Sequence, residues 1–138
     1  MYLTVVVGES GADKFLWERP VIKAEGHISV NCEFAAVIAG KGAELEVRSA
    51  LGVIVDESFR TKIPRGIQLI TCGISPKNTV SVTSRTAGRL TLSLNRGIRT
   101  VSGICEPLEQ PVDVPENADE FDVMAAFAAR VLTGLRIS

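Results

Sequence analysis

Three groups of residues in this chain are of types that can do chemistry, and the first is a glycine pair near its start. Gly8-x-x-Gly11 followed by Lys14 is similar to a phosphate-binding loop, in which glycine amides cradle phosphate and a lysine reaches it. The spacing differs, because such a loop has four residues between its glycines and then an adjacent Lys-Ser/Thr. Asp13 also places negative charge beside the expected phosphate. We therefore interpret residues 8–11 as a turn and expect no nucleotide there.

The second group, the histidine and the cysteines, offers little material for catalysis or metal binding. His27 is the only histidine, so Ser–His–Asp and two-histidine metal schemes lack residues. Cys32, Cys72 and Cys105 are odd in number and widely spaced, which argues against a disulfide framework and against structural zinc. We predict no catalytic residue, no metal site and no cofactor, and we interpret Cys72 as a small core residue.

The third group is a segregated set of charges. Residues 58–105 carry eight basic residues and no acid, and residues 106–122 carry seven acids and no base, although the net charge is −1. The acidic segment can pair with the basic segment of the same chain or of a neighbouring subunit. Alternatively, the basic segment binds an anionic small molecule such as a nucleotide-linked metabolite. The residues that we assign to this anion site are Lys77, Arg85, Arg89 and Arg96.

Composition limits the class of protein. The 138 residues correspond to a single domain, 1–138, large enough for its own core. A hydrophobic content of 46% with almost no net charge leads us to expect a homo-oligomer. No apolar run approaches the roughly 20 residues that cross a bilayer, and the first residues lack the basic start of a signal peptide. We predict a cytoplasmic protein without a membrane partner. Nucleic acid is disfavoured, because the basic segment has one aromatic residue, Phe59.

Two apolar runs organise the first half of the predicted fold. Residues 52–56 and 67–73 are rich in β-branched side chains and end in Asp or Gly, which is typical of central strands covered on both faces. Residues 2–7 predict a first strand. Residues 21–24 and 27–32 fit two short strands paired with each other across Glu25-Gly26. Residues 33–40 fit one or two helical turns, and residues 43–50 fit either an exposed strand or a short helix.

The second half has clearer patterns. Alternating apolar residues across 80–94 predict an antiparallel hairpin, which residues 98–104 extend as a third strand. Residues 106–116, with three prolines, predict an extended connector. A helix then runs from Asn117 or Asp119 to about Leu132, and Gly134 ends it. Its apolar stripe is Phe121, Met124, Ala128, Val131, Leu132 and Leu135, and we expect Phe121 and Phe127 to be its largest buried groups. The fold class predicted is α/β, with a small, mainly parallel sheet, a β-hairpin extension and a C-terminal helix.

The order of these elements resembles the closing part of the central domain of the Mur ligases, the ATP-dependent amide-forming ligases of peptidoglycan synthesis. The resemblance covers roughly residues 50–138. Its matching pieces are Val55-Asp56-Glu57-Ser58, Ile70-Thr71-Cys72-Gly73, the hairpin Val80–Leu94, and the helix from Asp122 to Ala129 that closes with Leu132-Thr133-Gly134-Leu135.

This chain departs from the family at its chemistry. The family's Gly-Lys-Thr loop is absent, its His-Asn pair is replaced by Glu120-Phe121-Asp122, and its C-terminal ligase domain is missing. Its carboxylated lysine and magnesium-binding glutamate match no position here. The resemblance therefore implies a shortened relative that has lost the ATP machinery.

The function predicted first is a non-catalytic binding or assembly module, placed near cell-envelope metabolism by the resemblance alone. The alternative is an anion-binding enzyme, or a protein that binds a nucleotide-linked metabolite, using the basic segment 58–105. The absence of paired catalytic groups favours the first, whereas an anion held by Lys77, Arg85 or Arg89 favours the second.

Overall fold

The computed structural model describes residues 2–16, 20–60 and 62–134. Strands make up 47% and helices 13% of this part of the chain. Its helices are a short 3-10 helix, Ala12–Phe15, and one α-helix, α1 (Glu120–Leu132). The strands are β1 (Leu3–Val7), β2 (Val21–Ala24), β3 (His27–Asn31), β4 (Ala35–Ala39), β5 (Glu44–Ser49), β6 (Gly52–Asp56), β7 (Leu69–Cys72), β8 (Val80–Thr86), β9 (Arg89–Leu94), β10 (Ile98–Thr100), β11 (Gly103–Cys105) and β12 (Leu108–Asp113).

A mixed eight-stranded sheet forms the centre, in the order β12-β9-β8-β7-β6-β4-β1-β2. The six strands from β8 to β2 run parallel, whereas β9 and β12 are antiparallel additions at one end. In register, Val53 lies beside Val37 on one side and beside Leu69 on the other. Since β1 lies between β2 and β4, the direction in which successive strands are added reverses at β1.

A second, two-stranded parallel sheet covers one face of the large sheet. It consists of β3 and β5, and the chain alternates between the two layers as it passes from β3 through β4 and β5 to β6. Between the layers lies an aliphatic core, formed by Val5, Val7, Val30, Val37, Leu45, Val47, Val53 and Val55 with two buried alanines and several partly buried neighbours. The result is a stack that resembles the coils of a β-solenoid.

The opposite face of the large sheet is covered by α1. Seven consecutive residues of α1, Val123–Ala129, are buried, and they pack with Val6, Ile38, Ile54 and Ile70 in a second core. The helix begins where the Asp119 carboxylate accepts a hydrogen bond from the Asp122 N–H, and it ends before Gly134, whose φ is +78°. The predicted helix, its Asp119 start and its glycine stop are confirmed; Leu135 lies outside the described residues. None of the described helices is long and apolar enough to cross a membrane.

The predicted fold class, an α/β fold with a small and mainly parallel sheet, is wrong. β-structure dominates, and the sheet is large and mixed. Residues 35–39 form the strand β4 rather than helical turns. The strands β2 and β3 exist as predicted, but they pair with β1 and β5 and not with each other. The cause of the first error is that Ala-Ala-Val-Ile-Ala is buried on both faces, so it lacks the alternation that marks a half-exposed strand.

The end of the hairpin also differs from the prediction. Residues 98–104 do not extend it, because β10 and β11 form a separate two-stranded sheet. The third strand is β12, which lies in the segment predicted as a connector and pairs with β9. Pro111 is tolerated there because β12 is an edge strand, where a missing N–H can face away from the sheet. Of the two predicted buried aromatics, Phe127 is 4% exposed, whereas Phe121 is only partly buried.

Candidate functional site

A pocket of about 800 Å³ opens at the carboxyl ends of β1, β4 and β6, beside the first turn of α1. This is the edge at which the strand order reverses around β1. In open sheets with parallel strands, ligands bind in the crevice outside the carboxyl ends at such a reversal. The pocket is also within the size range of small-molecule sites. Its position and volume make it the candidate site.

Glycines allow two loops to meet at the floor of this pocket. The Glu9 N–H donates to the Lys41 carbonyl at 2.8 Å, and the Lys41 N–H donates to the Glu9 carbonyl at 3.0 Å. A side chain at position 40 would place its Cβ 2.7 Å from the Glu9 carbonyl carbon, so only glycine fits. Gly8 has a φ of +78°. Gly8, the first glycine of the pair that resembled a phosphate loop, and Gly40 therefore let the two loops pack closely, consistent with the turn interpretation.

One wall joins the beginning of the chain to its last helix. The Ser10 hydroxyl donates to the Asp122 carboxylate at 2.7 Å and accepts from the Ala12 N–H at 3.2 Å. Gly11 allows the close approach, since a Cβ there would lie 3.0 Å from a carboxylate oxygen of Asp122. The first turn of α1 is thus fixed above the loop that follows β1.

A second wall comes from the turn after β6. The Asp56 carboxylate accepts hydrogen bonds from the N–H and the hydroxyl of Ser58, which closes an Asx turn. The Arg60 guanidinium donates to the carbonyls of Glu57 and Phe59, each at 3.1 Å. These bonds hold the turn in one shape and place a cation and a partly buried aromatic ring against the pocket.

The lining combines both signs of charge with two aromatic rings. The carboxylates are those of Glu9, Asp56, Asp119 and Asp122, the cations are those of Lys41 and Arg60, and the rings are those of Phe59 and Phe121. Ionised carboxylates only accept hydrogen bonds, whereas ammonium and guanidinium groups only donate them. The pocket can therefore satisfy a small molecule that is rich in hydroxyl or amino groups and that also carries an acidic group.

The four residues assigned to an anion site lie outside this pocket. Arg85 donates two hydrogen bonds to Glu120, at 2.5 and 2.7 Å, and Arg89 donates one to Asp113 at 3.0 Å. The hydrogen bond from Arg85 holds the pKa of Glu120 below its usual range, against a smaller opposing effect of burial. The acidic segment thus pairs with the basic segment of the same chain at two places, which is one of the alternatives that the sequence left open.

The remaining two of these residues are neighbours in space. The Arg96 guanidinium donates to the backbone carbonyl of Lys77. Both side chains are exposed, and neither takes part in an ion pair with a described residue. The structure therefore brings Lys77 and Arg96 together, whereas Arg85 and Arg89 are each held in an ion pair with an acidic residue.

The cysteines and the acidic side chains bear on thiol chemistry and on metal binding. All three cysteines are free. Burial, with a smaller effect of the nearby Asp56 charge, raises the pKa of the Cys72 thiol far above its usual range. Cys72 is fully buried, as the sequence predicts. Within residues 2–16, 20–60 and 62–134, no three His, Cys, Asp or Glu side chains are arranged to hold a metal ion.

Comparisons of the chain with protein-family models, with curated proteins and with solved structures give no significant match. The Mur ligase resemblance stays a prediction.

Sequence reasoning missed the pocket because its residues come from four separated segments. The signal that was present is the pair of glycine-containing loops, 8–11 and 40–42, each at the end of a buried strand. The loop at 40–42 follows the residues 33–40 for which helical turns were predicted, so its glycines suggested only the end of that helical segment.

Proposed function

We propose that this chain is a cytoplasmic, non-catalytic binding module that holds a small polar molecule in the pocket at the carboxyl ends of β1, β4 and β6. The observation that carries the proposal is the pocket itself: about 800 Å³, lined by charged groups and two aromatic rings, at the reversal of strand order.

The hydrogen bonds of the carboxylates support their use in recognition of a ligand. Asp122 accepts from Ser10, Asp56 accepts from Ser58, and Asp119 caps α1. A carboxylate that accepts bonds from the chain is held in one orientation, which suits recognition of ligand donors.

Two further arguments support the proposed compartment and the proposed class of ligand. Three free thiols are the expected state in a reducing compartment. The resemblance to the Mur ligases, with their ATP machinery lost, supports a role in binding a metabolite of cell-envelope synthesis. An amino sugar that also carries an acidic group fits the mixed lining, because its hydroxyl and amino donors face four carboxylates and its acidic group can meet Lys41 or Arg60.

A thermal-shift screen tests the proposal. The probes are free amino acids, polyamines, amino sugars and sugar nucleotides at millimolar concentration. A ligand that binds only the folded state raises its stability, by about 2.7 kcal/mol at one hundred times its dissociation constant. We expect at least one class to raise the melting temperature of the wild-type chain.

Two variants locate the site. Asp122→Asn removes a charge from the pocket while the hydrogen bond from Ser10 can persist, and it should reduce the shift. Lys77→Ala is the matched control outside the pocket and should retain the shift. A shift that Lys77→Ala removes and Asp122→Asn preserves would move the site to Lys77 and Arg96. No shift with any class would overturn the proposal.

A further inference from the structure

The two edges of the eight-stranded sheet are built differently. One edge is β12 and the other is β2. An exposed edge presents unpaired N–H and C=O groups to which another strand can add, and proteins that stay monomeric interrupt such edges with proline, charge or capping groups. The comparison of β12 with β2 therefore indicates which edge is open to pairing.

The β12 edge is interrupted at its middle. The Val114 N–H donates to the Gly88 carbonyl, so residues 108, 110, 112 and 114 direct their peptide groups to β9. Directions alternate along a strand, and Pro111 therefore faces outwards, where it lacks an N–H. Its outward carbonyl accepts a hydrogen bond from the Gln110 side chain at 3.1 Å. Both groups that a further strand would need at Pro111 are removed.

Among the described residues, neither proline nor a capping side chain interrupts the outward positions of β2, and its one charged residue, Lys23, pairs with Asp13 of the same chain at 3.4 Å. The Pro20 carbonyl accepts from the Thr4 N–H at 3.1 Å, so residues 20, 22 and 24 direct their peptide groups to β1. The peptide groups of Val21 and Lys23 face away from the sheet, and no described residue is hydrogen-bonded to them. The edge thus offers two N–H and two C=O groups on alternate residues.

We propose that β2 pairs antiparallel with β2 of a second copy of this chain, which makes one continuous sixteen-stranded sheet. In antiparallel pairing, two opposite residues exchange both N–H···O bonds. The register that uses all of the outward groups places Val21 of one copy opposite Lys23 of the other, and the reverse, which gives four hydrogen bonds around a two-fold axis. The pattern is complementary to itself, as a symmetric dimer needs.

The side chains favour a second copy in this register. Ile22 is 52% exposed and lies on the axis, so it faces Ile22 of the second copy at a non-hydrogen-bonded position, where side chains approach most closely. Lys23 faces a valine, so the two lysines are not placed opposite each other, and each can keep its ion pair with Asp13 at 3.4 Å. The dimer is therefore held by backbone bonds and an isoleucine contact, whereas the charged pairs at Arg85 and Arg89 lie within each chain.

Disulfide trapping tests the register directly. Opposite residues at a non-hydrogen-bonded position have Cα atoms about 4.5 Å apart, within the range that a disulfide spans. Ile22→Cys should form a 22–22 disulfide under mild oxidation, identified by mass spectrometry of the linked peptide. Ile74→Cys, at a residue 69% exposed and outside the interface, is the matched control and should form no such link. Absence of the 22–22 disulfide would overturn the proposal.

Sedimentation tests the dimer without added cysteines. The wild-type chain should sediment at twice its 14.8 kDa at about 100 μM. Lys23→Pro removes one outward N–H together with the ion pair to Asp13 of the same chain, and Ile22→Lys places two like charges opposite each other. Each should weaken association at least tenfold with an unchanged circular dichroism spectrum. Glu109→Pro, at the outward position of the β12 edge, should leave the dimer intact.

Three sedimentation results would also overturn the proposal. They are a monomeric wild-type chain at this concentration, a dimer that folded Ile22→Lys and Lys23→Pro retain, and a dimer that Glu109→Pro dissociates.

Discussion

The Arg85 guanidinium on β8 binds the Glu120 carboxylate, at the first residue of α1, through two hydrogen bonds of 2.5 and 2.7 Å. The pair joins the hairpin to the start of the helix that covers the sheet. It also joins the acid-free segment to the base-free segment, so the segregation of charge along the chain serves folding at this place.

Stability should depend on pH through this pair. The pKa of Glu120 is lowered in the folded state, chiefly by the hydrogen bond from Arg85. The stabilisation is therefore complete above the ordinary pKa of a glutamate, about 4.3, and is lost as the pH falls through the lowered pKa. Glu120→Gln should lower the free energy of unfolding at pH 7 by about 0.2–1 kcal/mol. Urea denaturation at a series of pH values should show this difference disappear at low pH.

Asp113→Asn is the control for that measurement. It breaks the pair with Arg89, whose carboxylate partner is 81% exposed, so its effect should be smaller at every pH. Equal pH dependence of the wild type and Glu120→Gln would contradict the role given to the Arg85–Glu120 pair.

Truncation of the two aromatic residues of α1 should have unequal effects. Phe127 is 4% exposed in the core beneath the helix, so Phe127→Ala should cost about 3–5 kcal/mol. Phe121 borders the pocket and is partly buried, so Phe121→Ala should cost about 1–2 kcal/mol. Chemical denaturation of both variants measures the difference. If Phe121→Ala proved the more destabilising, the helix would be rotated relative to the sheet.

Gly40 should not tolerate a side chain. The Cβ of Gly40→Ala would lie 2.7 Å from the backbone carbonyl carbon of Glu9, and backbone atoms cannot move aside cheaply. We expect a loss of about 1–3 kcal/mol. Gly97→Ala, whose Cβ would lie 3.5 Å from the Cys105 carbonyl oxygen, is the control and should change stability by about 0.5 kcal/mol or less. Thermal unfolding compares the two, and equal losses would refute the close packing of the two loops.

ATP with magnesium should not bind. The loop that resembled a phosphate cradle uses the backbone of Glu9 to pair with Lys41, and Lys14 lies at a different groove. Isothermal titration calorimetry should give no dissociation constant below about 100 μM, which corresponds to about −5.5 kcal/mol. Tighter binding would restore the phosphate-loop interpretation.

Much of the fold could be predicted from local pattern. The β-branched runs at 52–56 and 67–73 contain β6 and β7, the alternation across 80–94 contains the hairpin, and Asp119 marks the start of α1. These elements are specified by their own residues, through burial on both faces, burial on one face, and capping.

What was missed depends on neighbours distant in sequence. Residues 35–39 form a strand because β1 and β6 lie on either side, and an alanine-rich run contains no sign of that. Pro111 favoured a connector, because the sequence alone does not show that residue 111 lies on an edge strand with its missing N–H facing away from the sheet. The pocket was missed for the same reason, since Ser10 and Asp122 meet only when the complete sheet places them together.

The Ser10–Asp122 hydrogen bond spans 112 positions of the chain and has a consequence for synthesis on the ribosome. Until residues near 122 leave the exit tunnel, the loop after β1 has no second wall, and Val6, Ile38 and Ile54 lack the helix that covers them. A nascent chain therefore presents an aliphatic sheet face to solvent, the kind of surface that chaperones bind and that aggregates. The wall of the pocket formed by Asp119, Phe121 and Asp122 is added only after the sheet strands β1, β4 and β6 have been synthesised.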